Sequence, residues 1–266
     1  MRLHFFGLLA LISIPLLALF GQGTPSPTAT PAVTASPVVL PSPTATPTVI
    51  LSPVVLPSPT TASRKLLYKP PAAAGNLPAR VSGGARGGGE VDATLFALVP
   101  NHVALTTQAQ PSLFWFQSRP AKARFELTVV EPKKPKPLLS LTSPDADKPG
   151  IHRIKLARYK VELQPDVPYE WSVAIVPDPE NRSEDVVAKG IIKRIKPPAD
   201  LAAASEEADD LERAAAYAQA GIWYDALDAI SNAIEEHPED ASLREQRVSL
   251  LKQVGLSQAA ALDAKK

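Results

Sequence analysis

The sequence predicts a mainly β fold with a helical C-terminus. Three observations carry this. Between residues 91 and 195, short runs rich in Val, Ile, Leu and aromatics are separated by Pro, Asp and Gly. Within several runs, apolar and polar residues alternate, as in half-buried strands. After Lys196-Pro197-Pro198 the composition turns to Ala, Glu, Asp and Leu, and the apolar period lengthens to that of a helix.

The chain opens on MRLHFFGLLALISIPLLALFGQG. Arg2 supplies a positive end, residues 5–20 an apolar run, and Gly21-Gln22-Gly23 small residues of the kind signal peptidase accepts. Residues 1–23 therefore read as a cleaved secretory signal. The alternative is an uncleaved anchor, but a helix of this run would span only ~24 Å of a ~30 Å hydrocarbon core. Pro15 would also interrupt it. With no cysteine in the chain, disulfides, thiolate metal sites and N-terminal lipidation at Cys are excluded.

Residues 24–66 read as a disordered Pro/Ser/Thr-rich spacer. PSPTATP at 25–31 returns at 41–47, and SPVVL at 36–40 returns at 52–56. Proline fixes φ and removes an amide donor, so neither helix nor sheet runs through this tract. Extended as polyproline II, it would reach on the order of 120 Å. A passive linker is the simpler reading; the alternative makes the two SPVVL segments docking stripes for a partner.

Residues 67–90 form an extended and glycine-rich arm. Its SGGARGGG lacks the Lys-Ser/Thr ending and following helix of a phosphate loop. From 91 to 197 seven strands are expected: 93–99, 113–117, 124–130, 138–141, 152–156, 169–176 and 186–195. Phe125, Leu127 and Val129 alternate with Glu126 and Thr128, and Tyr169, Trp171, Val173 and Ile175 alternate with Glu170, Ser172 and Ala174. Leu113-Phe114-Trp115-Phe116 is apolar on both faces, as in a central or covered strand. Short strands with regular turns and no helix between them suggest an immunoglobulin-like antiparallel β-sandwich. Pro132-Lys133-Lys134-Pro135-Lys136-Pro137 must be an exposed turn.

Residues 198–262 read as helical. One helix is expected from Ser205 to Ala220, stopped by Gly221. A second is expected from Tyr224 to Glu236, and a third from Ala241 to Val254 with Asp240 as N-cap and Gly255 as stop. Ala214, Tyr217, Gly221, Trp223, Ala226, Ile230, Ala233 and Pro238 have the spacing of one tetratricopeptide repeat, with Asp210 and Arg213 departing from it. The expected result is a helical hairpin plus one further helix, with Trp223 and Tyr224 making the contact to the sandwich.

Chemistry-bearing residues are few. His102 and His152 have no acidic residue at metal spacing, and His152 is in phase with Ile154 and Leu156, so it reads as packed. Asp178, Glu180, Glu184 and Asp185 surround an Asn181-Arg182-Ser183 sequon. Lacking the spacing and glycine of a calcium loop, they read as a solvated hairpin tip. Trp115 and Trp171 read as core anchors rather than a ligand groove. No catalytic residue, cofactor or metal is assigned. Net charge of +1 points away from a nucleic-acid partner.

Tyr68-Lys69-Pro70-Pro71, SGGARGGG, Leu98-Val99-Pro100, PSLFWFQS, Pro149-Gly150-Ile151, YEWSVAIVPDPENRSEDV, Lys189-Gly190-Ile191-Ile192-Lys193-Arg194-Ile195, YAQAGIWYDAL and LLKQVGL occur in this order. Together they resemble a bacterial, largely cyanobacterial family, domain of unknown function 928, over about residues 68–262. The resemblance implies that strands and helices form one unit behind a signal and spacer. It transfers no functional residue.

The functional expectation is an exported, non-catalytic protein of a bacterial periplasm or cell envelope. It would bind an envelope protein or a glycan, and touch membrane only through an uncleaved leader. The competing reading is a wall-directed hydrolase using paired carboxylates, Glu162 with Asp166 or the 178–185 cluster.

Overall fold

A computed structural model describes residues 65–72, 80–84, 92–143, 148–199, 201 and 208–265. The leader, nearly all of the spacer, residues 85–90 and the expected helix start at Ser205 lie outside these residues. Among the described residues, the chain is mixed β with α, in two sheets and four helices.

The strands are β1 (Ser82–Gly84), β2 (Thr94–Ala97), β3 (Ala104–Thr106), β4 (Ser112–Gln117), β5 (Arg124–Val130), β6 (Leu139–Ser143), β7 (Gly150–Lys155), β8 (Pro168–Val176) and β9 (Val186–Arg194). One sheet has the order β1-β2-β4-β7 and the other β3-β9-β8-β5-β6. Every pairing is antiparallel except β3 with β9, which is parallel. Val81, just before β1, pairs with Lys189 of β9, so the arm at 80–84 ties one sheet to the other. All seven expected strands are present, and β1 and β3 are additional. The fifth expected strand, 152–156, starts two residues earlier at Gly150 and ends one residue earlier at Lys155, because Leu156 opens a 3-10 turn (Leu156–Tyr159) rather than continuing β7.

Register places one side-chain row on the inner face of the larger sheet. Leu127 stands opposite Val173, Val129 opposite Trp171, and Val173 opposite Ala188. All of these are fully buried. Leu95, Ala97, Leu113 and Trp115 share one face of the smaller sheet, and Trp115 reaches across to stack on Phe125 of β5. The opposite face of β4 carries Phe114 and Phe116, also buried. That strand lies between two neighbours and beneath a helix, which explains its apolar character on both faces.

Trp171 and Gly190 are direct cross-strand partners. A Cβ at Gly190 would stand 2.8 Å from Nε1 of Trp171, so the indole needs the bare backbone beneath it. Gly190→Ala is expected to cost about 1–3 kcal/mol by forcing the ring aside. The check is chemical denaturation followed by tryptophan emission; an unchanged midpoint would mean the ring has room.

The helices are α1 (Asp210–Gln219), α2 (Trp223–Glu236), α3 (Ala241–Gln253) and α4 (Ser257–Asp263). α1 begins later than its periodicity suggested. Asp209 caps it by accepting from Glu212 N at 2.8 Å, the start of a capping-box pattern. Asp240 caps α3 in the expected way, accepting from Ser242 N at 2.8 Å. Gly221 and Gly255 take φ of +75° and +76°, the left-handed conformation that stops α1 and α3. α4 was not expected. Leu256, Ala259, Ala260 and Asp263 are buried at helical spacing, a pattern too short to stand out in an alanine-rich tail.

Candidate functional site

The densest set of buried polar contacts among the described residues lies where α2 meets the sheets. Gly221 ends α1, and α2 opens with Trp223, Tyr224 and Asp225 in succession. A helix turns about 100° per residue, so three neighbours point in three directions. Trp223 Nε1 donates to the Leu98 carbonyl at 2.7 Å. Tyr224 Oη accepts from Trp171 Nε1 at 2.7 Å, and burial pushes its phenol pKa up. Asp225 accepts from Thr106 Oγ1 at 2.5 Å, from Thr107 N at 2.9 Å and from Thr107 Oγ1. One helical turn thus grips the β2–β3 connection, the inner face of β8 and the end of β3.

Burial raises the Asp225 carboxyl above the ordinary carboxylate range. The three donors from Thr106 and Thr107 oppose that, and Asp228, one turn on, reinforces it. A raised folded pKa gives a stability contribution fully present below the unfolded value of about 3.9 and lost as pH rises through the folded value. Asp225→Asn cannot ionise and escapes that loss. Relative to the parent, it is expected to gain stability between about pH 4 and about pH 8. Urea unfolding at both values tests this; a difference independent of pH would show that the carboxyl does not titrate with folding.

Arg153 of β7 secures the later turns of α2. Its guanidinium bonds Asp228 at 2.5 Å, Glu235 at 3.3 Å and Ser112 Oγ at 3.2 Å, and lies over the Phe114 ring. Arg80 reaches both the Val99 and Val254 carbonyls, joining the β1 arm to the end of α3. Desolvation lowers its pKa.

A second feature adjoins the first. Residues 65–70 run extended along the helices, with Leu66 and Tyr68 buried and Lys65, Leu67 and Lys69 exposed. Leu66 N donates to Gln246 Oε1, Gln253 Nε2 donates to the Leu66 carbonyl, and Tyr68 N donates to Gln253 Oε1, each at 2.8 Å. Lys69 N donates to the Ala218 carbonyl, near the end of α1, at 3.0 Å. The Tyr68 ring meets Trp223 edge-on at 5.1 Å and stacks on His102. His102 Nδ1 donates to the Val103 carbonyl, so its Nε2 accepts from Tyr68 Oη at 3.2 Å. The imidazole is packed against Tyr68.

The other sequence candidates fall elsewhere. His152 stacks on Trp115 and donates to the Lys148 carbonyl at 2.8 Å. Trp115 stacks on both His152 and Phe125, and its buried Nε1 has no hydrogen-bond partner among the described residues. Trp171 is wholly buried; both indoles are core anchors. Glu162 and Asp166 precede β8, whereas the 178–185 cluster follows it. Nine residues of strand place these two alternative carboxylate groups roughly 30 Å apart, at opposite ends of β8. Asp166 pairs with Lys193 at 3.2 Å. At the β8–β9 tip, Arg182 holds Asp185 and reaches Glu126 of β5, and Asp178 accepts from Glu180 N. No group of three His, Asp or Glu among the described residues is placed to hold a metal ion. The contacts of Asp225, Gln246 and Gln253 had no sequence signal, since their partners lie more than a hundred residues away.

No curated protein matches the chain. A multi-domain immunophilin from Arabidopsis thaliana, known from a crystal structure, is similar at 8% identity and a TM-score of 0.16, over 61% of this chain and 98% of that one. The model of one family, Domain of Unknown Function (DUF928), matches residues 81–263. That span takes in every strand and helix described above, and the chain belongs to this family.

Proposed function

We propose that this is an exported, non-catalytic protein of the bacterial envelope, a protein- or glycan-binding module carried on a proline-rich spacer. The observation that carries the reading is the charge-free, proline-rich tract that separates an apolar leader from the folded unit. A tract of that composition sets distance and presentation. The geometry adds a rigid body worth presenting, in which α2 is fastened to both sheets through Trp223, Tyr224, Asp225 and Arg153. Lys133 and Lys136 on the exposed β5–β6 turn offer cations to an acidic partner, while Lys134 between them pairs with Glu131 at 2.8 Å.

The fold is read more finely as immunoglobulin-like. Named in that scheme, β2-β4-β7 follow the order A-B-E, and β3-β9-β8-β5-β6 the order A′-G-F-C-C′. Tyr169, at the start of β8, accepts through its Oη from Gln164 N five residues upstream, as a tyrosine corner does. α1 and α2 are read as one tetratricopeptide-like hairpin, with Ala214, Ala218 and Ala226 buried in its seam. Such a sandwich serves many functions, so this analogy supports binding without choosing the ligand.

The test is fractionation of cells carrying the C-terminally tagged full chain, followed by in-cell crosslinking. The expected result is recovery in the envelope fraction with crosslinks to a protein or glycan there. Recovery in the cytosol would overturn it.

A further inference from the structure

We infer that the groove along α1 and α3 is a receptor for an extended peptide, and that two copies of this chain exchange residues 65–71 through it. The groove reads backbone more than side chains. Gln246 and Gln253 address the main chain of residues 66 and 68, and the Ala218 carbonyl addresses that of residue 69. Alternate side chains enter, as in strand-like peptide recognition. Leu66 and Tyr68 point in, while Leu67 is 55% exposed. The groove also depends on glycine. A Cβ at Gly221 would stand 2.7 Å from the Lys69 carbonyl oxygen and 3.0 Å from the Pro71 ring, so the peptide lies against bare backbone.

The occupant is terminal to the folded unit. Arg80 is held independently, by the Val99 and Val254 carbonyls, so residues 65–71 can leave without releasing β1. The vacated groove would expose the face of Trp223 and the two glutamine amides, an arrangement that calls for a replacement of the same shape. The same segment of a second copy is that replacement, with identical contacts on both sides. Exchange is then governed by concentration. With only eight residues between Pro71 and Arg80, the segment has an effective concentration on the order of millimolar for its own groove. Copies held together at or above that density exchange, and dilute copies close on themselves.

The chain's lack of cysteine allows a direct test. Lys65 and Ser249 line one surface cavity at the entrance of the groove, together with Val248 and Lys252. Full-length chains carrying Lys65→Cys and Ser249→Cys singly are mixed, incubated at millimolar and at tenfold lower concentrations, then oxidised and resolved without reductant. The double variant, expected to close within one chain when dilute, serves as the geometric control. The expected product is a disulfide-linked heterodimer whose ratio to monomer falls about tenfold for each tenfold dilution. An excess of a synthetic peptide covering residues 64–72 should suppress it. The inference is overturned if heterodimers are absent while the double variant closes. It is also overturned if Lys65→Cys homodimers form as readily as heterodimers, since that reports collision alone.

Discussion

Trp223→Ala is expected to be the most damaging single substitution in the described chain. Its side chain is fully buried, packs edge-on against Tyr68, and donates to the Leu98 carbonyl. Truncation removes the buried area, leaves a cavity and orphans a buried carbonyl. The first two effects alone cost about 3–5 kcal/mol. In a unit of this size that lowers the melting temperature by roughly 6–20 °C. Trp223→Phe retains most of the volume and loses the donor, so it should cost ~2 kcal/mol, as for an unsatisfied buried group. Calorimetry on both variants separates packing from hydrogen bonding. Equal losses would assign the whole effect to the indole N–H.

Arg247→Met should act more locally. Arg247 and Asp263 form a two-point ion pair at 2.6 and 2.8 Å, with side chains only 12% and 2% exposed, and Arg247 also reaches Ser231. Losing the cation leaves a buried carboxylate unpaired, at a cost of about 3–5 kcal/mol. α4 is short and next to the end of the described chain, so the expected outcome is its detachment before the sheets open. Hydrogen exchange should rise first across 257–263. The double variant Arg247→Met/Asp263→Leu replaces the pair by apolar side chains and should recover most of the loss, because no charge remains buried. If single and double variants open equally, the bridge is not what holds α4.

The parts legible in the sequence are those encoded by neighbours. β5 buries alternate residues along its whole length and β8 does so from Tyr169 to Val173, so period two names them. Gly221, Gly255 and Asp240 mark helix ends through local backbone chemistry. β1 and β3 are three residues each, too short for a period to show, and β1 is drawn from a glycine run with little apolar signal. The site is less legible still. GIWYDAL stands out in the sequence, yet Asp225 looks there like an ordinary first-turn acid; its threonine partners are 118 and 119 residues away. Gln246 and Gln253 look like helix-surface residues until the extended segment is placed across them.

That segment sets an order of events. Leu66 bonds Gln246 across 180 positions, and Tyr68 bonds Gln253 across 185. A chain made from its N-terminus delivers the segment long before the helices that hold it. At about 5–20 residues per second, the wait is roughly 10–40 s. During that interval Leu66 and Tyr68 have no place to bury. The sheets can assemble in the meantime from strands already present, whereas residues 65–71 dock only in chains completed through α3.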